Sequence, residues 1–121
     1  MKTILIVAGD TASVAAWNAV LRHDGCRVVS VRNGLEGLVF ARKENPALIV
    51  ADWLMPLMDG VEFCLHLKSK PALARIPLIL TGDEYLDLGE RLIWDEFWPK
   101  PVSIEKLRAS VQRLLNVCGA D

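Results

Sequence analysis

Three runs of apolar residues in this chain are continuous rather than alternating with polar positions. They lie at residues 4–8, 47–51 and 78–80, and they consist of Leu, Ile, Val and Ala. Continuous runs of this length are typical of strands that are covered on both faces, as in a parallel sheet. Residues 28–31 predict a fourth short strand, and residues 96–98 predict a weaker fifth strand at a sheet edge.

Between these runs, apolar residues recur about every 3.6 positions, which predicts amphipathic helices. The five stripes are Val14, Trp17, Val20 and Leu21; Leu35, Leu38 and Val39; Val61, Cys64 and Leu65; Leu88, Leu92 and Ile93; and Ile104, Leu107, Val111 and Leu114. The polar residues at the helix ends agree, because Asp10 or Thr11 can cap the first helix and Ser103 can begin the last. Asn45-Pro46 is expected to end the second helix.

The alternation of strands and helices predicts a three-layer α/β sandwich, in which five helices cover a five-stranded parallel sheet. We expect a single domain over residues 1–121, with residues 116–121 as a flexible tail. In such a sheet, binding and reaction sites lie beyond the carboxyl ends of the strands. The residues that directly follow each strand are therefore the candidates for chemistry.

Composition narrows the classes of function. Of the 121 residues, 52% are hydrophobic and 24% are charged, with a formal net charge of −1. This balance supports a full core and argues against a surface dedicated to nucleic acid or to an anionic membrane. No apolar run is long enough to span a bilayer, and the apolar start is too short for a secretory signal, so we expect a cytoplasmic protein. Cys26, Cys64 and Cys118 are widely spaced, which predicts reduced thiols rather than a disulfide framework or a zinc site.

Polar side chains follow three of the predicted strands. Asp52 follows the third strand, Thr81 the fourth and Lys100 the fifth. Because the carboxyl ends of parallel strands meet at one edge, a carboxylate, a hydroxyl and an ammonium should converge there. A carboxylate in this position can be a nucleophile toward a phosphoryl group, whose oxygens Thr81 and Lys100 could contact. The other interpretation is a structural Asp52–Lys100 salt bridge that holds one permanent conformation.

The residues around Asp52 also form a specific motif. It consists of Asp52, Met55-Pro56 and Met58-Asp59-Gly60, followed at fitting intervals by Thr81 and Lys100-Pro101. With this motif, and over essentially its whole length, the chain resembles the receiver domain of bacterial response regulators, the CheY-like family. The resemblance implies a flavodoxin-like, CheY-like fold in which Asp52 accepts phosphate from a sensor histidine kinase or a phosphotransfer protein. It also implies that Thr81 is the switch hydroxyl and that Lys100 is the phosphate-contacting amine.

The same resemblance implies a Mg²⁺ ion that bridges the protein and the phosphate. Asp52 would bind this ion through its carboxylate, and Leu54 through its backbone carbonyl. Receivers carry an acidic pair directly after the first strand, but this chain has Ala8 and Gly9 there, with Asp10 one place later. Because Mg²⁺ prefers carboxylate oxygens, we expect its binding, and with it the phosphorylation of Asp52, to be weakened. Asp10 could reach the pocket as a metal ligand, or it could only cap the first helix.

The resemblance further implies an output surface on the fourth helix and the fifth strand, where Phe97 holds the position of the reporting aromatic. Trp94, Phe97 and Trp98 are closely spaced, which suggests a surface for a downstream protein partner or for a second copy of the chain. The alternative is that at least two of the three pack inward. Trp53, next to Asp52, is expected to lie over the site and to limit the access of water.

Three functions are compatible with these residues. The leading hypothesis is a receiver of a two-component phosphorelay that accepts phosphate on Asp52 and acts through another protein. The alternative is a phosphorylation-independent pseudo-receiver, a protein-interaction module, which Ala8-Gly9 favours. A small phosphohydrolase with an aspartate nucleophile is disfavoured, because such enzymes pair the nucleophile with an acid two residues later, where this chain has Leu54. We therefore expect no enzyme, and no contact of this domain with nucleic acid or membrane.

Overall fold

The computed structural model describes residues 2–9, 11–53, 55, 57–83 and 94–115. In chain order, the elements are β1 (Thr3–Val7), α1 (Thr11–His23), β2 (Arg27–Val31), α2 (Gly34–Glu44), β3 (Leu48–Asp52), α3 (Gly60–Lys68), β4 (Leu78–Gly82), β5 (Glu96–Pro99) and α4 (Ile104–Leu115). Four of the five predicted helices thus lie in the described part of the chain. The stripe Leu88, Leu92 and Ile93 and the predicted tail at residues 116–121 lie outside it.

The five strands form one parallel sheet in the order β2-β1-β3-β4-β5. β3 and β4 are buried along their whole length, in agreement with their continuous apolar runs. β5 lies at an edge of the sheet, as its weaker pattern predicted. Helices pack on both faces of this sheet, so the predicted three-layer α/β sandwich is confirmed.

Alternate side chains along each strand enter different core layers. Leu5, Val7, Ile49, Ala51 and Leu80 lie in the layer that includes residues of α2 and α3. Ile4, Ile6, Leu48, Val50 and Ile79 lie in the layer that includes residues of α1 and α4. Consecutive residues at the end of a strand therefore point to opposite faces of the sheet.

The order of the strands determines where a site can form. β1 pairs with β2 on one side and with β3 on the other, so the direction of the chain across the sheet reverses at β1. A crevice forms at such a point, beyond the carboxyl ends of the strands. Since β3 ends at Asp52, this topology brings Asp52 to the crevice.

The predicted helix ends agree with the local backbone. Asn45 follows α2 in the left-handed region with φ 49°, and its N–H donates to the carbonyl oxygen of Ala41 over 2.9 Å. The N–H of Lys106 donates to Oγ of Ser103 over 3.0 Å at the start of α4. Asp10, the other candidate cap, lies outside the described residues. None of the helices in the described ranges has the length and apolar character needed to cross a bilayer.

The cysteines behave differently from one another. Cys64 on α3 is a free thiol with no exposed surface, in agreement with the sequence. Cys26 is disulfide-bonded, so the prediction of a reduced thiol was wrong at this position. The reason is that a disulfide depends on proximity in the folded chain, which spacing along the sequence does not reveal. Cys118 lies outside the described residues.

Candidate functional site

The three polar residues predicted to converge do meet at one oxygen atom. Asp52 and Thr81 are direct neighbours in the pairing of β3 with β4, and Oγ1 of Thr81 donates to Oδ1 of Asp52 over 2.5 Å. Nζ of Lys100 lies 2.8 Å from the same Oδ1. Both distances are those of charge-assisted hydrogen bonds. Oδ2 of Asp52 takes part in neither contact.

Asp52 and Thr81 are nearly buried, so the charge of the Asp52 carboxylate has little contact with water. Asp52 is 7% exposed and Thr81 is 1% exposed, whereas the side chain of Lys100 is 33% exposed. A carboxylate that is so little exposed needs a compensating charge and hydrogen bonds. Lys100 supplies the charge from the solvent side of the site, and Thr81 supplies a hydrogen bond from within. The charge of the Asp52 carboxylate is thus balanced by the charge of Lys100.

The backbone around the site holds these groups in place. The N–H of Trp53 donates to the carbonyl oxygen of Thr81, and the N–H of Lys100 donates to that of Gly82, each over 2.8 Å. The peptide bond that follows Lys100, to Pro101, is cis. The three loops that carry the site are thus joined by main-chain hydrogen bonds as well as by side chains.

Gly60 is a site residue whose role becomes apparent only in the structure. A Cβ atom at Gly60 would lie 2.5 Å from the carbonyl oxygen of Asp52 and 2.9 Å from Cα of Trp53. No side chain fits at these distances. The N–H of Gly60 also donates to the carbonyl oxygen of Trp53 over 2.7 Å, which closes the loop between β3 and α3 against the site. The sequence motif contained Gly60, but the crowding that requires a glycine there is a tertiary contact.

Few of the described residues near Asp52 offer oxygen ligands for a bridging Mg²⁺. Ala8 and Gly9 offer no side-chain oxygen, and Oδ1 of Asp52 is already in contact with Lys100. Asp59, the other acid of the motif, caps α3, where its Oδ1 accepts from the N–H of Glu62 over 2.8 Å. Within the described ranges, no three His, Cys, Asp or Glu residues are grouped so that they could hold a metal ion. Among the described residues, Asp52 is thus the one candidate ligand of the motif, and the other two, Asp10 and Leu54, lie outside the described residues.

The aromatic residues of β5 and the segment before it are more buried than an open interface would require. Trp94 is 5% exposed, Trp98 is fully buried and Phe97 is half-buried. Two of the three thus pack inward, which is the alternative that the sequence left open. Trp98 also donates from Nε1 to Oε1 of Glu96 over 3.1 Å.

Trp53 does not lie over the mouth of the site. Because side chains alternate along a strand, Trp53 points to the face opposite that of Asp52, where it joins the core layer of α2 and α3. Its ring contacts those of Trp94, at a centroid distance of 5.5 Å, and Phe97, at 6.2 Å, both edge to face. The expected role of Trp53 as a cover over Asp52 was therefore wrong.

Comparison with known families agrees with this geometry. The family model of the response regulator receiver domain matches residues 4–112. The chain belongs to the response regulator receiver domain family. Receiver domains are the signalling modules of two-component systems, and the resemblance noted from the sequence is thereby confirmed.

Curated relatives of this receiver domain are longer proteins. It is 33% identical over 117 residues to the alkaline phosphatase synthesis transcriptional regulatory protein PhoP of Bacillus subtilis (strain 168), covering 95% of this chain and 49% of that protein. It is 32% identical over 118 residues to the probable transcriptional regulator ycf27 of Porphyra purpurea, covering 95% of this chain and 48% of that protein. The chain spans about half the length of the curated relatives it matches.

Solved structures show the same receiver fold. The signal receiver domain of a signal transduction histidine kinase from Syntrophus aciditrophicus has a TM-score of 0.85 at 33% identity, with 96% of this chain and 91% of that chain covered. The receiver domain of sensor histidine kinase PA1611 from Pseudomonas aeruginosa PAO1 has a TM-score of 0.84 at 22% identity, with 95% and 98% covered. That second structure holds a magnesium ion in its active-site cleft, and at this identity it shows the fold alone.

Proposed function

We propose that this receiver domain accepts a phosphoryl group on Asp52 from the phosphohistidine of a sensor histidine kinase or a phosphotransfer protein, with weakened binding of Mg²⁺ and weakened phosphorylation. The observation that carries the proposal is the convergence of Lys100 and Thr81 on a single oxygen of Asp52, at 2.8 and 2.5 Å. Cation and hydroxyl are the groups that stabilise charge on a transferring phosphoryl group.

The transfer uses groups of this chain and of the donor, together with one proton from solvent. Oδ2 of Asp52, which takes part in neither contact, attacks phosphorus. The bond between phosphorus and the imidazole nitrogen breaks, and the imidazole leaves with its electron pair and takes a proton from solvent. The product is an acyl phosphate on Asp52. Lys100 and Thr81 move from Oδ1 to the phosphoryl oxygens, where the new negative charge develops.

The missing acids limit the rate of this reaction. Two unit charges at 4 Å interact by about 4 kcal/mol at an effective dielectric of about 20, so replacing two acids by Ala8 and Gly9 removes much of the attraction for a divalent ion. Transfer then depends mainly on Lys100, Thr81 and backbone N–H groups. We infer that labelling is slow, and that it responds weakly to added Mg²⁺.

We propose that the domain acts in the cytoplasm through a downstream protein that contacts the surface around β5 and Phe97, which could also bind a second copy of the chain. It contacts neither nucleic acid nor membrane itself. Two relatives have names that describe them as transcriptional regulators, and each is about twice as long as this chain. We also propose that the domain is a signalling module rather than a phosphohydrolase, since the second position after Asp52 is Leu54.

Intact mass tests the proposal directly. The protein is incubated with acetyl phosphate or phosphoramidate, with and without Mg²⁺, beside Asp52→Asn as the matched control. We expect the mass of one phosphoryl group on the wild type and none on the variant. Labelling of the variant would contradict the assignment of Asp52.

A companion variant tests the account of the metal. A Cβ at Gly9 would meet no atom within 4 Å, so an aspartate fits there without displacing a neighbour. Ala8→Asp combined with Gly9→Asp should raise both the affinity for Mg²⁺ and the rate of labelling. Unchanged affinity and rate in the double variant would show that the missing acids are not the cause of slow transfer.

A phosphorylation-independent pseudo-receiver is the second candidate. It is favoured by the contact of Lys100 with Asp52, because that salt bridge needs no phosphate. In this case the domain would bind its partner constitutively. Persistent absence of labelling, also in the variant with restored acids, would support this function over the first.

A further inference from the structure

Trp53 is joined to the site by its backbone, while its side chain lies on the other face of the sheet. Its side chain and that of Asp52 point to opposite faces of the sheet, while its backbone N–H donates to the carbonyl oxygen of Thr81 over 2.8 Å. Thr81 in turn donates to Asp52. One residue is therefore bonded to the strand that carries the switch hydroxyl and extends its ring away from the site.

The ring of Trp53 lies in a group that we name the aromatic cluster, consisting of Trp53, Trp94 and Phe97. The interplanar angles are 63° to Trp94 and 77° to Phe97, so both contacts are edge to face. Trp53 is 9% exposed and Trp94 is 5% exposed. Because the rings of Trp53 and Trp94 are both enclosed, a shift of one ring presses on the other.

Gly82 lies next to the aromatic cluster and beside the site. A Cβ at Gly82 would lie 3.4 Å from both Cζ of Phe97 and Cβ of Trp53, so the glycine lies where these two side chains approach each other. The carbonyl oxygen of Gly82 also accepts from the N–H of Lys100 over 2.8 Å. The backbone that positions Lys100 is thus the same backbone that Trp53 and Phe97 pack against.

We propose that Trp53 is a positioning residue that couples the charge on Asp52 to the positions of Trp94 and Phe97. A change of charge at Oδ1 of Asp52 moves Lys100 and Thr81, which both contact that atom. The movement passes through the hydrogen bond between Thr81 and Trp53 and through the packing over Gly82 to the cluster. The resemblance to receivers assigns a reporting role to Phe97 alone. In our proposal, Trp53 connects Asp52 to the aromatic cluster, and Trp94 changes position together with Phe97. The inference deepens the proposed function by naming the route from Asp52 to the output surface.

The coupling can be measured without phosphate. The protein has four tryptophans, and each indole N–H group gives one signal in proton–nitrogen correlation NMR. Asp52→Asn removes the charge, and we expect it to shift the indole signal of Trp94. In the Trp53→Leu background, the same substitution should shift the Trp94 signal by less than about a third as much, because the connection is lost.

Trp17 is the matched control. It is 6% exposed, and it lies in the core layer of α1 and α4, on the other face of the sheet from the aromatic cluster. A Trp17→Leu background should leave the response of Trp94 to Asp52→Asn unchanged, although it removes a ring of the same size. A merely structural role of Trp53 would make the two backgrounds behave alike.

Two outcomes would overturn the inference. One is the absence of a Trp94 shift on Asp52→Asn, and the other is a shift of equal size with and without Trp53. If Trp53→Leu does not fold, Trp53→Phe replaces it and should reduce the shift, because the smaller ring cannot reach both neighbours. The NMR experiment with Asp52→Asn needs no phosphate. Absence of labelling would therefore refute the proposed function without affecting the shift of the Trp94 signal, which tests the coupling alone.

Discussion

Lys100 and Asp52 form an ion pair across a strand that lies between them. Nζ of Lys100 is 2.8 Å from Oδ1 of Asp52, although Lys100 follows β5, and Asp52 ends β3, with β4 between the two in the sheet. The long side chain of Lys100 spans this distance from the edge of the sheet. The hydroxyl of Thr81 contacts the same oxygen of Asp52.

Lys100→Met is expected to destabilise the fold by about 1–3 kcal/mol near neutral pH, because it leaves the nearly buried carboxylate of Asp52 without its compensating charge. Asp52→Asn in the same background should recover part of this loss, since no charge then needs a partner. Urea unfolding of the two single variants and the double variant measures the coupling energy. Additive costs would mean that the ion pair contributes nothing to stability.

Gly60→Ala should destabilise the protein by about 1–3 kcal/mol and slow the labelling of Asp52, because the new Cβ would press on the carbonyl oxygen of Asp52. Gly9→Ala is the matched control, since a Cβ there meets no atom within 4 Å. Urea unfolding and intact mass compare the two variants. Equal stability of the two would argue against close packing of α3 on the site.

Stability should decrease above about pH 9 because of Cys64. Burial raises the pKa of the Cys64 thiol from 9.0 to about 12, so the folded state keeps its proton at pH values where the unfolded chain loses it. The contribution of the neutral thiol is therefore complete below the unfolded pKa and is lost as the pH rises toward 12. Urea unfolding at increasing pH measures this slope, which should be less steep in Cys64→Ala. A slope that is identical in both proteins would contradict the pKa shift.

Arg108 connects α4 to the end of α1. Its Nε and Nη2 atoms donate to the two oxygens of Asp24 over 2.8 and 2.7 Å, and Asp24 is 7% exposed. Arg108→Lys should cost about 1 kcal/mol, because an ammonium cannot form the paired hydrogen bonds of a guanidinium. Arg113→Lys is the control, since the pair of Arg113 with Glu96 is more exposed and should contribute less. Thermal unfolding of both variants tests this order.

Much of the fold was predictable because it depends on local patterns. The continuous runs at β1, β3 and β4 predicted buried parallel strands, and Asn45 and Ser103 marked helix ends by the chemistry of their own backbones and side chains. The convergence of Asp52, Thr81 and Lys100 followed from one general property of parallel sheets, namely that the carboxyl ends of the strands share an edge. Their contacts at a single oxygen bear out that expectation.

The interior aromatic residues were harder to predict because their environment is made by distant parts of the chain. Trp53 was expected to cover Asp52, but strand alternation directs it to the opposite face, where it meets Trp94 and Phe97. The disulfide at Cys26 was missed for a similar reason, since proximity in space is not visible in spacing. Neither the ring contacts of Trp53 nor the bonded state of Cys26 follows from the residues beside them in the sequence.

The amino-acid sequence by itself determined the order of the elements, the parallel sheet and the three residues that meet at its carboxyl edge, because periodicity and strand ends are local properties. Only the tertiary structure decided that Lys100 and Thr81 contact the same oxygen of Asp52, that Gly60 leaves no room for a side chain, and that Trp53 belongs to the aromatic cluster. The physical reason is that these contacts depend on how whole layers pack against each other, at distances where one additional atom changes the outcome.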